Sequence, residues 1–226
     1  MNSAIIVAAG AGTRFESTRP KQFLEILGKP VIIHTLERFD ACTDIDRIVL
    51  VLATDEIEFG RGLLERYQIR KEVVLAEGGD TRSRSVANGL AELGEDTAIV
   101  VIHDGARPLV SPEEITRTLE AAVDTGAACL VASVTDTIKE VDGDRVTGTK
   151  DRRRLRRALT PQAFRFELLK KVLSGADSNE AATDECILFE KAGYEVAAVP
   201  GNARNIKITF PEDLIFAEAC IRAAAN

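Results

Sequence analysis

Four aliphatic runs constrain this chain more than anything else in it: AIIVA at 4–8, RIVLVLA at 47–53, AIVVI at 98–102 and ACLVAS at 128–133. A strand with apolar side chains on both faces has to be covered on both faces. Parallel sheets with crossover helices do this. Further strands are expected at 72–76 and 196–199. Helical stretches are expected at 30–40, 56–67, 81–93, 112–125, 165–174, 183–192 and 211–224. Pro30 and Pro112 fit first-turn positions, Ser111 with Glu114 spells a capping box, and Thr209 with Glu212 spells a second. The expected fold is α/β, a three-layer, Rossmann-like, mostly parallel sheet in one domain over residues 1–226.

Residues 134–160 break the alternation. Asp142-Gly143 is a hairpin signal with strand-like residues on either side. A two-stranded arm, about residues 134–157, is expected to project from the body. An isolated hairpin is marginal in water, so the arm should pack on something, most simply a second copy of the chain.

The bulk numbers narrow the partners. The net charge of −7 argues against a nucleic-acid polymer. Cations nevertheless cluster at Arg14/Lys21, Arg82/Arg84, Arg107 and Lys150–Arg157, which suits a small anion. No apolar run reaches the length of a membrane helix, and no basic region precedes the first apolar stretch. Cys42, Cys129, Cys186 and Cys220 are widely spaced and read as reduced thiols of a cytoplasmic protein. With two histidines, His34 and His103, and no ligand spacing, a structural zinc site is not expected. His34, in an amphipathic helix, reads as structural; His103 is either a base or, more simply, a neutral ring bonded to a backbone group.

The first strand runs into AAGAGTRF and then Pro20-Lys21-Gln22. Gly10 and Gly12 free the backbone to turn its N–H groups toward an anion, and Arg14 and Lys21 add two positive charges. A nucleoside triphosphate is the natural occupant; the plainer alternative is a turn with two surface cations. The dinucleotide fingerprint fails, because position 15 is Phe rather than Gly and Pro20 stands where a helix would be under way. A Walker loop is absent.

Other chemistry-bearing residues fall at strand ends, where parallel α/β sheets bind ligands. Gly78-Gly79-Asp80-Thr81-Arg82 with Ser85 suits close approach to a flat ring and a base edge, or is a turn with solvated charges. His103-Asp104-Gly105-Ala106-Arg107-Pro108 places Asp104 for a metal or hydroxyl contact and Arg107 against a fixed bend. In the basic run Lys150–Arg157, one arginine is expected to reach a phosphate. Asn205, Lys207 and Thr209 would share one face of a short strand, with Lys207 as a third cation.

Taken together, AAGAGTR (8–14), PKQ (20–22), GGDTRSRSV (78–86), HDGARP (103–108), DTIK (136–139), ALTPQ (158–162), ATDE (182–185) and NIKITFPEDL (205–214) cover nearly the whole chain. In that set and order, the chain resembles the bacterial 2-C-methyl-D-erythritol 4-phosphate cytidylyltransferases of the non-mevalonate isoprenoid pathway. Ribitol-5-phosphate cytidylyltransferases share PKQF and NIK, but tend to carry AGG, VRP and QTPQ where this chain has AAG, ARP and LTPQ. The length leaves no room for an appended cyclodiphosphate synthase, so a monofunctional chain is expected.

The resemblance implies that Ala8, Ala9, Gly10, Ala11 and Gly12 wrap CTP, with Arg14 and Lys21 on its phosphates. It implies that Gly79, Asp80, Arg82 and Ser85 hold cytosine and ribose. It further implies that Asp104, Arg107, Thr137, Arg152, Thr160 and Lys207 surround the sugar phosphate, Thr137 and Arg152 reaching across a homodimer. Arg14, Lys21 and Lys207 would be the catalytic cations, with Mg²⁺ held mainly by the CTP phosphates rather than by a protein site. Two features depart from the family pattern: Arg204 stands where many members have an acidic residue, and the basic string after Arg152 is denser. A non-catalytic nucleotide-binding regulator and an NAD-linked oxidoreductase are the competing classes.

Overall fold

The first aliphatic run forms β1 (Asn2–Val7), with its four middle residues buried. The computed structural model describes residues 1–10, 19–175 and 184–224. A 3₁₀ turn at Lys21–Phe23 leads to the short antiparallel pair β2 (Glu25–Ile26) and β3 (Lys29–Pro30). The alternation then follows: α1 (Val31–Ala41), β4 (Arg47–Leu52), α2 (Ile57–Tyr67), β5 (Glu72–Glu77), α3 (Arg82–Ala91), β6 (Ile99–Asp104), α4 (Pro112–Thr125) and β7 (Ala127–Ser133). The hairpin β8 (Lys139–Asp142) and β9 (Arg145–Thr149) interrupts it. After it come β10 (Arg156–Arg165), α5 (Phe166–Gly175), α6 (Glu185–Lys191), β11 (Ala197–Pro200) and α7 (Pro211–Ala224).

Local chemistry sets these boundaries. Ser111 Oγ accepts from Glu114 N–H at 3.2 Å, and Glu114 Oε2 accepts from Ser111 N–H at 3.0 Å, so the expected capping box opens α4. Gly126, at φ +91°, closes the helix by donating its N–H to Ala122 O. Two expected caps differ. Pro30 occupies the cap position of α1 rather than its first turn. At α7 the carboxylate of Asp213, not Glu212, accepts from the N–H groups of Thr209 and Phe210.

The strands order as β11-β7-β10-β6-β1-β4-β5. All run parallel except β10, which is antiparallel to both β6 and β7. The period-2 alternation of strand side chains separates two cores. Ile6, Leu50 and Val101 pack on one face with Leu36 of α1, Leu63 of α2 and Ile115 of α4. Ile5, Val51 and Ile102 pack on the other with Val86 of α3, Leu169 of α5 and Phe189 of α6. This is the expected three-layer arrangement. Each fully buried Leu or Ile in it contributes about 1.5–3 kcal/mol.

One strand was not expected, and one expected strand is absent. Residues 158–162 are the middle of β10, an interior strand of the sheet. Pro161, which cannot donate to a ladder, is accommodated where the register with β7 shifts between Ala158 and Gln162. Residues 205–209 form no strand; Ile208 N–H donates to Ala106 O, while Asn205 and Ile206 N–H donate to the nearby carbonyls of Asn202 and Arg204. The β8–β9 arm is as expected, with Gly143 at φ +53° in its turn and all four residues of β8 exposed.

Candidate active site

The strand order reverses between β1 and β6, so no crossover helix covers the gap beyond their carboxyl ends. Val7 and Asp104 lie side by side there. The backbone leaving β6 stays tight against β1, since Gly105 N–H donates to Val7 O at 2.8 Å. A Cβ on Gly105 would stand 2.8 Å from Ala8 Cβ, so only glycine permits this approach. The result is a cleft of about 480 Å³ bounded by the β1 loop, the 3₁₀ turn, the β5–α3 loop and residues 207 and 209.

An ion cluster forms the floor. Asp104 is buried at 7 % exposure, yet three cations reach its carboxylate. Arg82 Nε meets Oδ1 at 3.3 Å, while Arg107 Nε and Lys207 Nζ meet Oδ2 at 3.2 and 3.1 Å. Burial by itself favours the neutral acid. Lys207, Arg82 and Arg107 outweigh it and hold the Asp104 carboxyl well below the usual carboxylate range. Behind Arg82, the first residue of α6 contributes Glu185, whose two oxygens accept from Arg82 Nη1 at 2.8 and 2.7 Å. Burial opposes the charge on Arg82, but Glu185 and then Asp104 hold its guanidinium protonated more firmly than usual. Burial pushes the Glu185 carboxyl upward, with Arg82 opposing. Asp184 caps α6, accepting from Ile187 N–H, and so presents Glu185.

His103 is not a base here. A carbonyl can only accept, so Nε2 carries the proton and donates to Arg107 O at 3.1 Å. Nδ1 then accepts from Thr160 Oγ1 at 3.0 Å, and Thr160 Oγ1 accepts from Asp104 N–H at 3.1 Å. Burial drives the imidazole pKa down to about 4, which keeps it neutral. His34 is likewise structural, donating from Nε2 to Ile26 O at 2.9 Å.

The opposite wall is the β5–α3 loop. Gly78 is needed for the protein's own packing: a Cβ there would stand 2.2 Å from Ala9 Cβ. Ser85 Oγ accepts from Gly79 N–H and donates to Thr81 O, both at 3.0 Å, which stiffens the turn. Thr81 Oγ1 accepts from Arg84 N–H and caps α3.

Of the residues expected from the sequence, Ala8, Ala9, Gly10, Lys21, Gly79, Asp80, Arg82, Ser85, Asp104 and Lys207 line this one cleft. Arg107 and Thr160 sit directly behind Asp104. Thr137 and Arg152 do not line it; both are exposed on the arm, where Arg152 Nη1 donates to Thr135 O. Ala11, Gly12 and Arg14 lie outside the described residues. Sequence reasoning assigned no role to three others. Gln22 is buried and donates from Nε2 to Ala8 O at 2.7 Å, tying the Lys21 turn to the β1 loop. Asn205 is buried and donates from Nδ2 to Thr160 O at 2.8 Å. Glu185 is the third. All three lie in the quoted motifs, which was the available signal.

Among the described residues, no group of three His, Cys, Asp or Glu side chains could hold a metal ion. Both oxygens of Asp104 already face cations. No helix among the described residues is long and apolar enough to cross a membrane.

Comparison with known proteins agrees with this geometry. Residues 2–223 match the family described as IspD: 2-C-methyl-D-erythritol 4-phosphate cytidylyltransferase. A protein of that name from Rubrobacter xylanophilus is 45 % identical over 224 residues, covering 97 % of this chain and 94 % of its own. One from Bacillus velezensis is 42 % identical over 224 residues, covering 98 % and 96 %. The crystal structure of 4-diphosphocytidyl-2C-methyl-D-erythritol synthase from Anaerococcus prevotii superposes with a TM-score of 0.86 at 33 % identity, covering 98 % of each chain. With a switch-point cleft, a cationic floor and full-length similarity in agreement, the chain belongs to the 2-C-methyl-D-erythritol 4-phosphate cytidylyltransferase family.

Proposed function

We propose that the chain transfers the cytidylyl group of CTP to 2-C-methyl-D-erythritol 4-phosphate, giving 4-diphosphocytidyl-2-C-methyl-D-erythritol and pyrophosphate in isoprenoid precursor synthesis. The observation that carries this reading is the cleft at the β1–β6 switch point, where Lys207, Arg82 and Arg107 converge on one buried carboxylate opposite the β1 loop and Lys21. A phosphate oxygen of the acceptor attacks the α-phosphorus of CTP; the new P–O bond forms as the bond to the β-phosphate bridging oxygen breaks. A phosphate monoester is already nucleophilic near neutral pH, so no general base is required. The site fits this economy, since both nitrogens of His103 are engaged and Asp104 is held by three cations.

The barrier lies in bringing two anions together and in charge gathering on the α-phosphate and leaving group. Arg14, Lys21 and Lys207 stabilise that charge in place. The β1 loop and Gly79, Asp80, Arg82 and Ser85 hold the nucleotide, and alignment of the two substrates supplies much of the remainder. A divalent cation, Mg²⁺, carried by the triphosphate oxygens would neutralise part of the leaving-group charge.

The working unit is a homodimer in the cytoplasm. Val141 and Val146 pair across the arm yet are 61 % and 62 % exposed, apolar surface that a second copy would cover. Thr137 and Arg152 are also exposed, which supports their serving the partner's cleft. The test is pyrophosphate release with CTP and Mg²⁺ over an acceptor panel. Turnover with methylerythritol phosphate far above that with ribitol 5-phosphate is expected. Equal or better turnover with ribitol phosphate would overturn the acceptor assignment, and CTP binding without pyrophosphate release would favour a regulator.

A further inference from the structure

Asp184 and Glu185 belong to a motif the reaction scheme leaves unused. Glu185 is 1 % exposed and opens α6, on the far side of Arg82 from the cleft carboxylate. Arginine ordinarily grips a carboxylate through a fork, two parallel N–H groups on two oxygens. The fork containing Nε is completed by Nη2. Here only Nε reaches Asp104, at 3.3 Å on Oδ1, and Nη2 is buried with no partner among the described residues. Both Glu185 oxygens sit instead on Nη1, at 2.8 and 2.7 Å. Glu185 therefore turns the guanidinium away from the fork it would otherwise make. The second oxygen of Asp104 is left to Arg107 and to Lys207 Nζ at 3.1 Å.

We propose that Glu185 is a positioning residue for cytidylyl transfer: by anchoring Arg82 through Nη1 it denies Arg82 the second oxygen of Asp104 and so keeps that oxygen holding the Lys207 ammonium in the cleft for the acceptor phosphate. Without the anchor, Arg82 swings its Nε and Nη2 edge onto both Asp104 oxygens. Lys207, whose side chain is 39 % exposed, is the most easily displaced of the three cations and drifts toward solvent. Glu185 touches neither substrate; it acts on Lys207 through a chain of three ion pairs, by way of Arg82 and Asp104.

The inference rests on the transferase reading above, and a double-mutant cycle separates the two. Glu185→Gln keeps the side chain's shape and removes its charge. Its kcat/KM for methylerythritol phosphate, read at saturating CTP, should fall about tenfold or more, and the accompanying shift in KM for CTP, which moving Arg82 brings, should be smaller than that. In a Lys207→Ala background, the same Glu185→Gln change should cost less than about twofold, because the group it positions is gone. Equal losses in the two backgrounds, or a loss confined to CTP, would overturn the proposal. Full turnover by Lys207→Ala would instead refute the role of Lys207, and the proposal with it; no pyrophosphate release by the unaltered enzyme would refute the transferase reading itself. Should Glu185→Gln not fold, Glu185→Asp keeps the charge but shortens the reach by one methylene. It is expected to show a smaller loss of the same kind, again vanishing in the Lys207→Ala background.

Discussion

Replacing Asp104 by asparagine keeps the size of the side chain and removes the one charge on which Arg82, Arg107 and Lys207 converge. Stripping a buried charge cluster of one partner typically costs about 3–5 kcal/mol. Three features reduce that figure here. Arg82 keeps both contacts to Glu185, Arg107 keeps its 2.9 Å bond to Asn205 O, and the half-exposed Lys207 can rehydrate. The expected loss is about 2–3 kcal/mol. At about 2–4 °C per kcal/mol for a chain of this size, melting should fall by about 4–12 °C at pH 7. Turnover should fall by about 10² or more, since Lys207 loses its anchor. The pH dependence has a definite sign. The folded carboxyl titrates below its ordinary value of 3.8, so its stabilising contribution is fully present above that value and is lost as pH falls beneath it. The melting gap between the two proteins should therefore be flat from neutral pH down to about 5 and narrow below about 4. Differential scanning calorimetry across that range, with pyrophosphate release at pH 7, reads both effects. A variant melting within about 1 °C of the parent with intact turnover, or a gap that widens on acidification, would refute the reasoning.

Lys21→Ala should lower kcat by about 10²–10³ while circular dichroism stays unchanged, and an unaltered kcat would remove Lys21 from the mechanism. Arg152→Ala should raise KM for the sugar phosphate and leave CTP binding alone; weakened CTP binding would place the arm against the nucleotide instead. Thr160→Val keeps the shape but leaves the Asp104 N–H and His103 Nδ1 without their shared hydroxyl. Urea unfolding should then show a loss of about 2–4 kcal/mol, and an unshifted midpoint would mean the hydroxyl contributes nothing.

Much of this was legible in one dimension. Aliphatic runs become buried strands because covering both faces is the only way to hide them, and Ser111 with Glu114 marks the start of α4 by chemistry confined to a single turn. Strand β10 was hidden because an arginine run precedes it and Pro161 interrupts it; only pairing with β6 and β7 makes it a strand. The order of the motifs revealed which loops would gather at the site, and the cleft collects most of the residues so named. What the pattern could not reveal is how the charges share one another. Arg82 and Glu185 are 103 positions apart, and Lys207 reaches Asp104 from a segment with no ladder to fix it. Whether a carboxylate is a base, a metal ligand or an anchor depends on which cations surround it after burial, and that is decided only when distant segments meet at the switch point of the sheet.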